Sequence, residues 1–224
     1  NKGNMIKKFS LVILFTIGLF SIASAEKGIK IGVSGQMGVF SADAKETEAT
    51  SVSAKGEATG IIAYGSVFAE KSLPGSLSRL SFGVDYVPYA LESETTEDSK
   101  SDLSGSTARA TVINKVQVDF EDLLTFYASL NITENLYIKA GFAQVDVITN
   151  ENLGTGSAYG NTSLDGTVYG IGYNYDADNG MFFRVEGNVM EFDGASLTST
   201  TNSDNKVTMS ELNGVSGKVS IGKS

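Results

Sequence analysis

Apolar and polar residues alternate along seven stretches of this chain. In 29–40, Ile29, Ile31, Val33, Met37 and Val39 share one parity, and Lys30, Gly32, Ser34, Gln36 and Gly38 share the other. In 212–224, Val215, Val219 and Ile221 oppose Ser216, Lys218 and Ser220. Side chains on a β-strand point alternately to its two faces, so each stretch predicts a strand with one apolar face. The same pattern predicts strands at 79–89, 136–148, 167–175 and 181–192. Stretch 60–70 is also a strand, but both of its faces are apolar or small and its phase stays open. Stretch 107–132 is longer. Val116, Val118, Phe120, Leu124, Phe126, Ala128 and Leu130 keep one parity, interrupted by Asp122, so we expect one long strand with a bulge near Glu121-Asp122.

The connections alternate in length. Segments 41–59, 90–106, 149–166 and 193–208 are long, polar and rich in Ser, Thr, Asn and acidic residues, and read as loops. Segments 71–78, 133–135 and 176–180 are short, and the last ends in the hairpin dipeptide Asn179-Gly180. An even number of strands, joined by short turns at one end and long loops at the other, is the arrangement of bacterial transmembrane barrels. A soluble sandwich has no cause to alternate in this way.

The front of the chain differs. Lys7-Lys8 precede an apolar run over 11–22, and Ala23-Ser24-Ala25 follows as an A-x-A cleavage site. This predicts a secretory leader, with residues 1–25 counted as upstream residues and signal peptide and 26–224 as the barrel domain. No later segment approaches a spanning apolar helix, so a membrane crossing would be made by strands.

Composition narrows the chemistry. The 224 residues include no Cys, His or Trp, with 25 Gly and 2 Pro. Disulfides, thiolate chemistry and His-based catalysis or zinc ligation are therefore excluded. The formal charge is −9, and becomes −12 once Lys2, Lys7 and Lys8 leave with the leader, which repels nucleic acid.

Three motif matches carry little. Gly217 and Gly222-Lys223-Ser224 fit a phosphate-loop spacing, but they fall on an alternating strand where that loop needs a turn into a helix. Asp176 to Gly180 begins like a calcium loop, yet Met181 and Gly187 stand where Gly and Glu are needed. Asp119 and Glu121 share a face like a catalytic pair, with Lys115 close enough in sequence to neutralise them. We expect no catalytic, cofactor or metal residues.

The parity assigned to the barrel interior carries Lys30, Arg79, Asp85, Lys115, Asp119, Glu121, Lys139, Arg184, Glu186 and Lys218. Charges withdrawn from water must be paired, so these predict a salt-bridged lumen. Eight strands leave an interior just wide enough for side chains. A girdle of aromatics is expected near the short turns (Phe68, Phe82, Phe126, Tyr137, Tyr173, Tyr175, Phe183). A second is expected near the long loops (Phe40, Tyr86, Tyr89, Phe142, Phe192).

The leader, the alternation of 29–40, the Tyr169-Gly-Ile-Gly-Tyr173 run and the terminal alternation together resemble small bacterial outer-membrane barrels of the OmpA/OmpX/opacity-protein type. The resemblance implies an eight-stranded antiparallel up-and-down transmembrane barrel. It further implies a monomer in outer-membrane lipid, assembled by the barrel-assembly machinery and without cofactor. The implied role is structural, adhesive or surface-interacting through four outer loops, not enzymatic, with a possible surface ligand at those loops. Such barrels usually end in an aromatic residue, and one placed after Ser224 would share the face of Val219 and Ile221, as in a chain truncated there. A low-conductance pore and a soluble periplasmic lipocalin-like barrel are the alternatives.

Overall fold

A computed structural model describes residues 28–224 apart from 49–50, 105–106, 154–156 and 202; the expected leader lies outside the described residues. The strands in order are β1 (Ile29–Glu48), β2 (Ser51–Ser72), β3 (Leu80–Tyr86), β4 (Leu91–Glu92), β5 (Thr96–Ser104) and β6 (Thr107–Asn131). They continue with β7 (Leu136–Asn152), β8 (Thr162–Asp176), β9 (Met181–Phe192), β10 (Ala195–Thr198), β11 (Lys206–Met209) and β12 (Leu212–Lys223). Every pairing is antiparallel. The sheet runs β1-β2-β3-β6-β7-β8-β9-β12 and closes because β12 pairs back onto β1 from Ile31↔Lys223 to Ser41↔Asn213. The result is an eight-stranded up-and-down barrel. β4 and β5 carry the line of β3 onward along β6, and β10 and β11 form a hairpin above β9 and β12.

Segments read as long loops turn out to be largely strand. β1 and β2 stay paired out to Glu48↔Ser51, with a register shift between Glu46 and Thr47, β5 pairs with the first half of β6, and β10–β11 fills much of 193–208. Hydrophobic alternation is blind to these ribbons. Residues 43–45 of β1 and 55–57 of β2 are exposed on both faces, so that ladder needs no apolar face, whereas β10 and β11 are too short to show a period and pack only Ala195 and Met209 against the core. A tilted strand needs only about 9–11 residues to span, whereas β6 has 25. The excess builds the surface ribbons.

The bulge in β6 is present and has a consequence for every residue before it. Asp122 has φ 54°, and the register with β7 slips between Glu121 and Leu124. One extra residue inverts the side-chain parity. After the bulge, Tyr127 and Ser129 point into the barrel and Phe126 and Leu130 point out. Before it, Phe120 turns inward and packs against the core. Tyr86 Oη donates to Asp122 Oδ1 at 2.7 Å and ties the bulge to the adjacent strand.

Inward glycines make room for inward rings. Gly83 lies opposite Tyr127 across β3–β6, and Gly172 lies opposite Tyr137 across β7–β8. A Cβ on either glycine would sit 2.3 or 2.4 Å from its tyrosine ring. Each ring therefore lies flat over a glycine, which lets an eight-stranded barrel carry aromatics inside. At the β8–β9 turn, Gly180 has φ +80° and Asn179 Oδ1 accepts from the Met181 amide at 3.0 Å. That is the hairpin the Asn-Gly pair predicts.

A closed, ion-paired lumen as the candidate functional site

The half of the lumen nearest the short turns is ionic. Arg184 on β9 reaches across the barrel to Glu70 on β2. Its Nη1 donates to Oε2 at 2.9 Å and its Nη2 to Oε1 at 2.8 Å. Its Nε donates to Asn174 Oδ1 at 2.8 Å, and Tyr127 Oη donates to Glu70 Oε2 at 3.2 Å. This two-point fork is the strongest geometry available to an arginine and a carboxylate. Beside it, Lys139 pairs with Glu186, and Lys218 pairs with Asp85. At the short-turn rim, Lys30 Nζ meets Asp176 Oδ1 at 2.7 Å, and Asn174 Nδ2 donates to Asp176 Oδ2 at 2.6 Å.

Rings fill the space around the cations. The Arg184 guanidinium lies 5.0 Å from the Phe182 ring, 5.3 Å from Tyr137 and 5.5 Å from Phe68. Phe68 and Phe182 meet edge to face at 6.0 Å. A cation over an aromatic face is attracted to it, most strongly where water is excluded. Each of the three inner cations has both a carboxylate and a ring.

Toward the long loops the lumen turns apolar. Phe40, Tyr64, Val87, Leu123, Val145, Leu164, Val168, Met190 and Phe192 are buried together, with Ile62, Leu91 and Phe120 packed against them. Between the two layers lies a cavity of about 20 Å³, lined in part by Gln36, Asp85, Thr125 and Asn188. That is room for about one water.

Of the ten charged residues assigned to the interior from sequence, the structure brings Asp85, Lys139, Arg184, Glu186 and Lys218 together, with Lys30 at the rim. The other four lie elsewhere. Arg79 is exposed at a short turn, where its guanidinium donates to the carbonyls of Asn131 and Ile132. Lys115 is exposed and pairs with Glu97 on a surface ribbon. Asp119 accepts from Asn150 Nδ2 at 2.6 Å, and Glu121 lies opposite Asp146. The bulge explains the last three, since it turns the parity of 115–121 outward in the part of β6 beyond the membrane. Glu70 and Asp176 are the lumen carboxylates the sequence reading omitted. The signal was an imbalance: six cations against four anions cannot neutralise one another in a sealed space.

Along the middle of the wall the outward positions are apolar. Val33, Met37, Val39, Phe82, Phe126, Ile138, Phe142, Ile171, Val185, Val189, Val215 and Val219 all project from the wall, Phe142 with 73% of its surface exposed. They come from seven of the eight strands that form the wall, and Ile61 of β2, 74% exposed, completes the circuit. A band of large apolar side chains around a closed cylinder, with ion pairs within, is the inverse of a water-soluble protein. The chain is a transmembrane β-barrel.

In bacterial outer-membrane barrels the short turns face the periplasm and the long connections the outside. Phe82, Tyr173, Tyr175 and Phe183 stand outward near the short turns, and Tyr89, Phe142 and Tyr169 stand outward nearer the ribbons. Four aromatics expected in these girdles are buried inside instead: Phe68, Tyr137, Phe40 and Phe192. Height along the strand fits a girdle for each, but parity sends them inward. Ile29 and Ile31, expected on the lipid face, are also buried.

No protein family matches the barrel, and no curated protein matches it by sequence. Solved structures match by fold. They include the outer-membrane protein OprG from Pseudomonas aeruginosa, at 9% identity over 88% of this chain and 95% of that one, TM-score 0.47. The outer-membrane protease OmpT from Escherichia coli matches at 11% identity over 87% and 97%, TM-score 0.45. Neisserial surface protein A matches at 13% identity over 83% and 95%, TM-score 0.36. At these identities the likeness concerns the fold alone.

Proposed function

We propose that this barrel is closed along its axis and acts at the cell surface, through the ribbons it holds above the membrane. The observation that carries the reading is the filled lumen. Three buried ion pairs and an apolar layer lie in series, with a cavity of about 20 Å³ between them. Hydrated ions have no path through such a stack, so the long strands serve something other than conduction.

The ribbons support a surface role because several are tied to one another. Tyr159 Oη donates to Glu46 Oε1 at 3.1 Å, linking the β7–β8 connection to β1. The Thr200 amide donates to the Ala158 carbonyl at 2.8 Å, and Asn205 Nδ2 to Ser157 Oγ at 2.8 Å, linking it to the β10–β11 region. A pre-ordered platform loses less entropy on binding a partner than free loops do.

Planar-bilayer recording tests the closed axis: we expect no large stable openings, and frequent ones would reject it. The surface role is tested by replacing 43–57 with a two-residue Asn-Gly turn. Cells expressing the shortened barrel should adhere less to immobilised matrix protein, while the purified barrel still shifts on gels when boiled. Unchanged adhesion, or none by the intact protein, would reject the reading.

Export by the leader, insertion by the barrel-assembly machinery and a monomeric state belong to the same proposal. The intact mass of the exported protein should begin at Glu26; a mass that includes Met5 would contradict the cleavage.

A further inference from the structure

Among the described residues, the hydrogen-bonded wall is interrupted between β2 and the segment that follows β3. β2 pairs with β3 from Ser72↔Ser81 to Val67↔Tyr86, and there the pairing ends. β4 and β5, which continue the line of β3, pair with β6 and not with β2. Above Val67, β2 is therefore held on its β1 side only. The break begins six rungs from the short-turn end. A spanning strand needs about 9–11 residues, so the break opens within the outer half of the bilayer.

Open sheet edges are not tolerated in hydrocarbon unless something else satisfies them. Here the Tyr89 side chain does so at one rung: the Gly65 amide donates to Tyr89 Oη instead of to a strand. Amides two residues apart point the same way, so those of Ile61 and Ala63 face the same gap. Pro88 on the facing segment has no amide to offer. On the outer surface beside the gap stand Ala63 and Gly65, too small to cover it. Behind it lies the apolar layer of the lumen, including Ile62, Tyr64, Val87, Leu91 and Leu123.

We propose that this break is a lateral portal, latched by Tyr89, which opens as the packed side chains of Ile62, Tyr64, Val87 and Leu91 shift and lets a small uncharged apolar molecule pass between the apolar outer half of the lumen and the outer leaflet. The lining fixes the chemical class. No charged residue borders the gap between Gly60–Ser66 and Val87–Leu91, and the ionic layer beneath prevents onward passage along the axis. The portal goes beyond the surface role and does not depend on the ribbons binding anything.

The test uses N-phenyl-1-naphthylamine, an uncharged dye that fluoresces on entering membrane and that an intact outer membrane excludes. Gram-negative cells expressing the full chain should take it up several-fold faster than cells expressing Ile62→Lys, which places a charge in the path. Tyr89→Ala, which removes the latch, should be faster still. Boiling-dependent gel migration checks that both variants fold, and Leu91→Lys replaces Ile62→Lys if that variant does not. Uptake equal to cells lacking the protein, or equal in all folded variants, overturns the portal. So does a matching rise in ion conductance in planar bilayers, which would mean a general leak. Adhesion is read separately, so a portal without adhesion, or adhesion without a portal, is distinguishable.

Discussion

Arg184→Ala should destabilise the barrel by about 3–5 kcal/mol, the usual cost of leaving one member of a buried ion pair without the other. Arg184 and Glu70 are only 6% and 5% exposed, and the carboxylate's remaining donor is the Tyr127 hydroxyl. Truncation removes both limbs of the fork, the Asn174 contact and the cation stacked among Phe68, Tyr137 and Phe182. The stranded charge is the larger part of the effect. The double variant Glu70→Leu with Arg184→Met should therefore be less destabilised than Arg184→Ala alone, because apolar replacement of a whole buried pair is often near neutral. Equilibrium urea unfolding in lipid vesicles, followed by tyrosine fluorescence, gives both values and their coupling. A cost below about 1 kcal/mol for Arg184→Ala would place the pair in water, since exposed pairs contribute no more than that. It would remove the sealed lumen with it. If Arg184→Ala fails to fold, Glu70→Gln reads the same coupling from the other side.

That experiment bears on which parts of the molecule its sequence disclosed. The lumen charges on β3, β7, β9 and β12 were legible because each strand pairs an unbroken apolar face with a polar one. Parity alone then placed Asp85, Lys139, Arg184, Glu186 and Lys218 inside. Glu70 was missed for a local reason. The inward face of β2 offers Ile62, Tyr64, Ser66, Phe68 and Glu70, and the outward face Ile61, Ala63, Gly65, Val67 and Ala69. Both look apolar or small until one asks which face can tolerate the carboxylate, and lipid cannot. Lys115, Asp119 and Glu121 failed for a different reason. The bulge was visible as the odd Asp122, but its effect on parity is a register property that depends on the partner strand. The ribbons were invisible because 43–45 and 55–57 are exposed on both faces, and β10 and β11, at four residues each, are too short for a period to register. The break beside β2 was hidden too, since it is an absence of pairing between segments distant in sequence.

The orientation of the wall gives the second large effect. Val219→Arg should cost about 2–4 kcal/mol, the penalty for a cation on the lipid face near mid-bilayer. Val219 lies two-thirds of the way along β12, 59% exposed, between Gly35 of β1 and Val185 of β9. None of those neighbours offers a carboxylate. An arginine there must snorkel to an interface or draw water in, and both are costly. Ser196→Arg on the β10 ribbon is the control. It is exposed and beyond the apolar band, and should change stability by no more than about 0.5 kcal/mol. Unfolding in vesicles of known thickness measures the pair side by side. The sign of their difference is what matters. If both are neutral, the exterior is wet and the cylinder does not sit in a bilayer. If Ser196→Arg is the costly one, the apolar band has been placed at the wrong height. A penalty confined to Val219 shows that the face opposite Lys218 and Ser220 meets acyl chains. The ionic residues are then enclosed because the outside of the wall has no place for them.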